Sequence, residues 1–151
     1  MLHDGGCDRV LVVVGAAGDE VAALLDPGTT VVRCPGWASG MGVSLAAGLS
    51  AVTADAAVVH LVDLPDVGAA AVRRLLAQGG HERHALARAT YGGRPGHPVL
   101  VGADHVAALV ATLAGDAGAR TYLEQHAAVA VECGDLATGA DEDGPVSDTA
   151  P

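Results

Sequence analysis

Ala56-Ala57-Val58-Val59-His60-Leu61-Val62-Asp63-Leu64-Pro65 is an apolar run that closes on a carboxylate and a proline. The run from Ala56 to Val62 reads as a buried strand. It delivers Asp63 to the C-terminal edge of a sheet, where open α/β folds bind their ligands. Pro65 fixes its own φ and disfavours helical geometry at Leu64, so the loop bearing Asp63 stays extended. A hard cation such as Mg²⁺ takes few protein carboxylates and fills its octahedron with phosphate oxygens and water, a task that suits Asp63. The competing reading is that Asp63 or Asp66 caps a helix starting near Val67.

Upstream, Val10 to Val14 is a β-branched run stopped by Gly15, and Asp19 to Leu25 carries helical spacing. Thr29 to Arg33 is a second strand, Met41 to Val52 a helix and Val67 to Ala77 another helix. Beyond Gly79-Gly80, strands at Ala85 to Thr90 and Val99 to Val101 flank a glycine-rich turn. Helices follow near Asp104 to Leu113 and Ala117 to His126, then a last strand at Ala128 to Glu132. Alternating strands and helices predict a three-layer α/β, Rossmann-like domain with a mainly parallel sheet covered on each side. One domain spans 1–151, with 133–151 as an irregular, acidic, glycine-rich tail.

Composition narrows the function. Half of the residues are apolar, and the formal charge is −10, which disfavours nonspecific contact with nucleic acid or an anionic membrane. All eight basic residues are arginines, so no lysine amine serves as Schiff base or phosphate clamp. With no Phe, one Trp and two Tyr, there is no aromatic platform for single-stranded bases. Cys7, Cys34 and Cys133 are odd in number and far apart, which fits a reducing cytoplasm. No stretch has the length of a membrane span.

Two further segments carry constrained residues. Pro35-Gly36-Trp37-Ala38-Ser39-Gly40-Met41-Gly42-Val43-Ser44 joins strand to helix with three glycines, letting backbone approach a ligand, with Ser39 or Ser44 adding a hydroxyl; the plainer reading is a loop in which Trp37 packs over the core edge. Tyr91-Gly92-Gly93-Arg94-Pro95-Gly96-His97-Pro98 holds His97 extended before a proline, able to present its imidazole to a cleft, while His60 reads as a core residue. Arg94 offers a planar fork to anionic oxygens or is an ordinary exposed turn arginine. Gly115-Asp116 resembles a helix start with Asp116 as N-cap and Arg120 one turn along. Asp141-Glu142-Asp143-Gly144-Pro145 supplies further carboxylates, as a second metal contact or as solvated surface. Gly15 and Gly18 lack the middle glycine of a dinucleotide-binding turn, and no acid ends the next strand.

Taken in order, Gly40-Met41-x-x-Ser44-Leu45, Asp63-x-Pro65, Gly96-His97-Pro98 and Gly115-Asp116-x-Gly118-Ala119-Arg120 resemble the molybdenum cofactor cytidylyltransferases, a branch of the MobA-like NTP transferases with a GT-A-like fold. The resemblance implies transfer of CMP from CTP to a molybdopterin-type acceptor with Mg²⁺. It implies Asp63 as metal ligand, Asp141 and Asp143 as helpers, and His97 beside Asp63 in the catalytic set. Gly40, Met41, Ser44, Pro65, Arg94, Gly96 and Pro98 would then shape the nucleotide and acceptor sites. A molybdoenzyme of the xanthine dehydrogenase type is the implied partner. The chain departs from the family in carrying Gly144 where the family has threonine. Nothing before Val10 resembles its phosphate-cradling loop, so an N-terminally incomplete domain is expected. The alternative is a noncatalytic molybdopterin-binding or chaperone module.

Overall fold

The computed structural model describes residues 1–115 and 118–141. Strand β1 (Leu11–Val14) leads through helix α1 (Gly18–Ala23) to β2 (Thr30–Arg33). A 3-10 turn at Trp37–Ser39 opens helix α2 (Met41–Ser50), followed by β3 (Ala56–Val59) and α3 (Ala69–Gly79). Strands β4 (Leu86–Tyr91) and β5 (Arg94–Gly102) form a hairpin, and α4 (Ala103–Thr112), α5 (Arg120–Gln125) and β6 (Val129–Glu132) complete the order. The elements expected from the sequence are all present, with boundaries moved by a few residues. No helix among the described residues is long and apolar enough to cross a membrane.

The expectation of a mainly parallel sheet is corrected. β1 and β2 form a parallel pair of their own, and a four-stranded sheet has the order β3-β5-β4-β6. β4 pairs parallel with β6, but β5 runs antiparallel to both β3 and β4. The cause is local. Gly92 (φ 58°) and Gly93 (φ 77°) form a two-residue turn between the paired Tyr91 and Arg94, and such a turn joins antiparallel strands. From Pro98 to Gly102 β5 is apolar and buried because helices cover both of its faces, so the composition of that half imitates a parallel strand.

The three layers are as expected. On one face α3 sends Ala71 and Leu75 into a cluster with Ala87, Leu100, Val131 and Tyr91. On the other, Leu49 of α2, Leu109 of α4 and Tyr122 and Leu123 of α5 pack on Leu86, Val99 and Val101. α2 also rides on β1, where a Cβ on Gly48 would lie 2.8 Å from Val13 Cγ2, so this crossing needs a residue without a side chain.

Candidate functional site

β3 ends at Val59, three residues sooner than the apolar run suggests, and Val62 is fully exposed. The chain therefore leaves the sheet before reaching Asp63, which stands exposed in a turn beyond the C-terminal end of the strand, with Pro65 and Asp66 beside it. Neither acid caps α3. Its N-cap is Gly68, with no side-chain bond. Asp66 instead accepts the backbone N–H and the hydroxyl of Thr138, both at 2.6 Å. The Thr138 hydroxyl, then its N–H, hold the Asp66 carboxyl below the ordinary carboxylate range.

That contact ties the C-terminal segment to the Asp63 loop. Arg74 grips Asp135 with both guanidinium nitrogens and donates to the Glu132 carbonyl at 2.9 Å. The described part of the segment after Cys133, up to residue 141, has no helix or strand, yet it is pinned. Asp141 is exposed and three residues past Thr138, within a tether of about 10 Å at full extension. Asp143 and Asp116 lie outside the described residues.

His97 enters from β5. Burial lowers its pKa, nearby His60 lowers it further, and Asp63 pulls the other way, so the imidazole is neutral at physiological pH. His60 is likewise held low by burial against the pull of Asp63, and its Nδ1 is buried without a hydrogen-bond partner. These two histidines and Asp63 thus share one end of the β3–β5 pair.

Tyr91 positions His97. Its hydroxyl donates to the His97 carbonyl at 2.6 Å, and burial pushes its pKa up to about 12, so it remains a donor at neutral pH. A Cβ on Gly96 would come within 2.8 Å of the Tyr91 ring, which explains the glycine of Gly-His-Pro in steric terms. Glu132 fixes the neighbouring turn. Its carboxylate accepts the Thr90 hydroxyl (2.8 Å) and the N–H groups of Gly92 (2.8 Å), Gly93 (3.1 Å) and Gly134 (2.9 Å), and these bonds, the Thr90 hydroxyl first, bring its pKa down to about 2. Sequence reasoning passed over Glu132. The available signal was an acid ending the last strand beside a Gly-Gly turn.

On the sheet face carrying His97 lies a cavity of about 390 Å³. Met41, Gly96 and His97 line it, together with Arg88, Gly118 and Arg120. Ser44 does not line it: its hydroxyl donates to Cys34 Sγ at 3.9 Å. Gly40 (φ 120°) forms the bend between the 3-10 turn and α2, while Pro98 is fully buried in the sheet. Arg94 is exposed at the hairpin and outside the cavity wall. A second cavity of about 400 Å³ is walled by small apolar residues around Ala56, Val101 and Val106, with no charged group.

Among the described residues, no three His, Cys, Asp or Glu side chains are grouped to hold a metal ion. The donor set fits a hard cation that arrives with phosphate oxygens, held by one carboxylate, rather than a resident ion in a protein cage.

A family model described as the MobA-like NTP transferase domain matches residues 1–129. Nicotine blue oxidoreductase of Paenarthrobacter nicotinovorans is 37% identical over 151 residues, an overlap of 92% of this chain and 72% of that protein. The crystal structure of Rv0371c from Mycobacterium tuberculosis H37Rv superposes with a TM-score of 0.75 at 26% identity, covering 92% of this chain and 73% of that one. A complex of Rv0371c with manganese gives 0.70 at 25% identity, covering 87% and 70%.

Proposed function

Because the chain belongs to the MobA-like NTP transferase family, we propose that it serves CMP transfer from CTP to a molybdopterin-type acceptor in the cytoplasm, the product passing to a molybdoenzyme of the xanthine dehydrogenase type. An oxygen of the acceptor's terminal phosphate attacks the α-phosphorus of CTP. That P–O bond forms as the bond to the β-phosphate oxygen breaks, and pyrophosphate leaves with the electron pair.

The observation that carries this reading is Asp63, an exposed carboxylate beyond β3 at the end of the sheet shared with His97, whose side chain opens onto the 390 Å³ cavity. Asp63 would hold the cation, with Asp141, three residues past the Thr138 that binds Asp66, and Asp143 as further candidates. A Mg²⁺ ion held there would supply positive charge to offset that developing on the transferring phosphate. The manganese complex of the relative supports a divalent ion. Met41 and Gly96 bound the acceptor side, and neutral His97 offers a hydrogen bond to a phosphate or ring oxygen without adding charge. Gly40, Ser44, Pro65, Arg94 and Pro98 act by shaping the loops and not by direct contact.

Pyrophosphate release from CTP, with Mg²⁺ and molybdopterin, tests the assignment. Asp63→Asn should lower the rate by about 100-fold, the scale on which one electrostatic contact to a transition state acts. A full rate in that variant, or no release by the parent chain with any pterin and nucleotide, sinks it.

The name of the 37% identical relative favours a second reading, an oxidoreductase acting on a compound such as nicotine blue. A shared scaffold does not fix the reaction. Consumption of a reduced nicotinamide donor with no pyrophosphate formed would select this second reading.

A further inference from the structure

The cavity's arginines are placed for a purpose that loop shaping does not explain. Arg88, Val99 and Val59 are register partners across β4, β5 and β3, so their side chains leave the same sheet face in one row, and all three line the cavity. His97 lines the same cavity from the stretch of β5 where the register against β4 shifts, beyond Val99 towards the Asp63 end. Arg88 is mostly buried, its side chain 15% exposed, whereas Arg120 sits at the mouth. The remaining wall is apolar, with Leu45, Leu109 and Leu123 among its members.

Charge sets the pair apart from the other arginines that hold acids. Arg33, Arg74 and Arg83 each have at least one acid to themselves, Asp19, Asp135, and Asp55 with Asp104. Among the described residues, Arg88 and Arg120 share a single carboxylate, Glu124, at 3.7 and 3.0 Å. Two guanidiniums against one acid leave a local excess of one positive charge in a protein whose formal charge is −10. Its long bond to Arg88 leaves that fork free to take another acceptor.

We propose that this cavity seats a flat heterocycle bearing one carboxylate or phosphate, whose anion is taken by Arg88 and Arg120 while Glu124 sets how strongly they attract it. Its volume suits a small ring system, and its apolar wall with a few convergent polar groups is the pattern of small-molecule sites. The inference deepens the proposed function only in taking the occupant to be the acceptor. Binding here requires neither nucleotide nor cation.

The experiment compares two fluorescent probes, pterin-6-carboxylate and neutral 6-hydroxymethylpterin, titrated into the full chain without CTP or Mg²⁺. The carboxylate should bind about tenfold more tightly. Arg88→Gln and Arg120→Gln should each bring that ratio towards one, and Glu124→Gln should raise it, because both guanidiniums lose their competing acid. Arg120 is largely exposed, so its substitution leaves the fold intact even if Arg88→Gln does not. Equal affinities in the parent, a ratio unmoved by Arg120→Gln, or no binding of either probe would overturn the assignment. A ratio that follows the arginines in a chain that never releases pyrophosphate would retire the transfer reaction and leave the anion seat standing.

Discussion

The two sheets of this molecule are held in very different ways. Both buried clusters are built on β3-β5-β4-β6, with helices pressing from each side. In the β1–β2 unit only Val14 and the flanking Cys34 are buried, α1 buries nothing, and Leu24 is 85% exposed. α2 bridges the two, giving Leu49 to the large core and crossing β1 at Gly48. The candidate cavity and His97 therefore rest on a heavily determined scaffold. Met41, the first residue of α2, is anchored through that helix to both a strong and a weak partner.

The largest expected effect tests this asymmetry directly. Leu100, fully buried in central β5, should cost about 3 kcal/mol when truncated to alanine. Val31, half-buried in β2, should cost about 1 kcal/mol. Trp37 is the sole tryptophan and its side chain lies over Gly15 at the end of β1, so its fluorescence reports the weaker half. In urea, that signal should change before far-UV circular dichroism does, the mark of a locally opening unit. Coincident transitions would show one cooperative body and remove the contrast.

A smaller effect sharpens the picture on the strong side. Tyr91→Phe keeps the ring between Gly96 and Gly139 but removes the hydroxyl that donates to His97. The expected loss is about 1 kcal/mol at neutral pH. The pH dependence supplies a second signature. Unfolded tyrosine ionises near 10.0, while the folded hydroxyl keeps its proton to about 12, so wild-type stability is intact below the first value and falls as pH rises through the second. Phenylalanine cannot ionise, and the variant should lack this tyrosine's share of the alkaline loss. Identical alkaline profiles would show that burial does not hold the proton on the Tyr91 hydroxyl in the folded chain.

The division between strong and weak halves also marks what could be read from the chain. Runs such as Val10 to Val14 and the spacing in Val67 to Ala77 reveal strands and helices because burial imposes a period. Strand direction was hidden: from Pro98 to Gly102 β5 is apolar on both faces, and only the Gly92-Gly93 turn disclosed an antiparallel partner. The end of β3 was misjudged because Val62 is apolar in the sequence yet fully exposed in the fold. At the candidate site, Met41, Gly96 and His97 were legible as constrained motif residues. Arg88 was not, since its place in the cavity depends on register with Val99 and Val59, a relation between strands that local spacing does not contain.

Glu132 gives the smallest effect at neutral pH and the most specific one in acid. Its carboxylate is exposed to water yet carries four hydrogen bonds that close the Gly92-Gly93 turn and the start of the tail. The β1–β2 unit has no such clamp among the described residues; its exposed Arg33–Asp19 pair is of a kind that contributes little. Since the folded pKa of Glu132 is about 2 against an ordinary 4.5, the unfolded chain takes up the proton first. Its contribution is present above pH 4.5 and drains away as pH falls towards 2. Asp66, Asp135 and Glu124 are also held low and weaken the protein in acid, so the variant must be read against wild type at each pH. Glu132→Gln should be less stable than wild type at pH 7, and urea midpoints for the two should draw together as pH falls below 4.5 and meet only near pH 2. A gap that stays constant across that range would mean the four donors hold the side-chain oxygen for its shape and not for its charge.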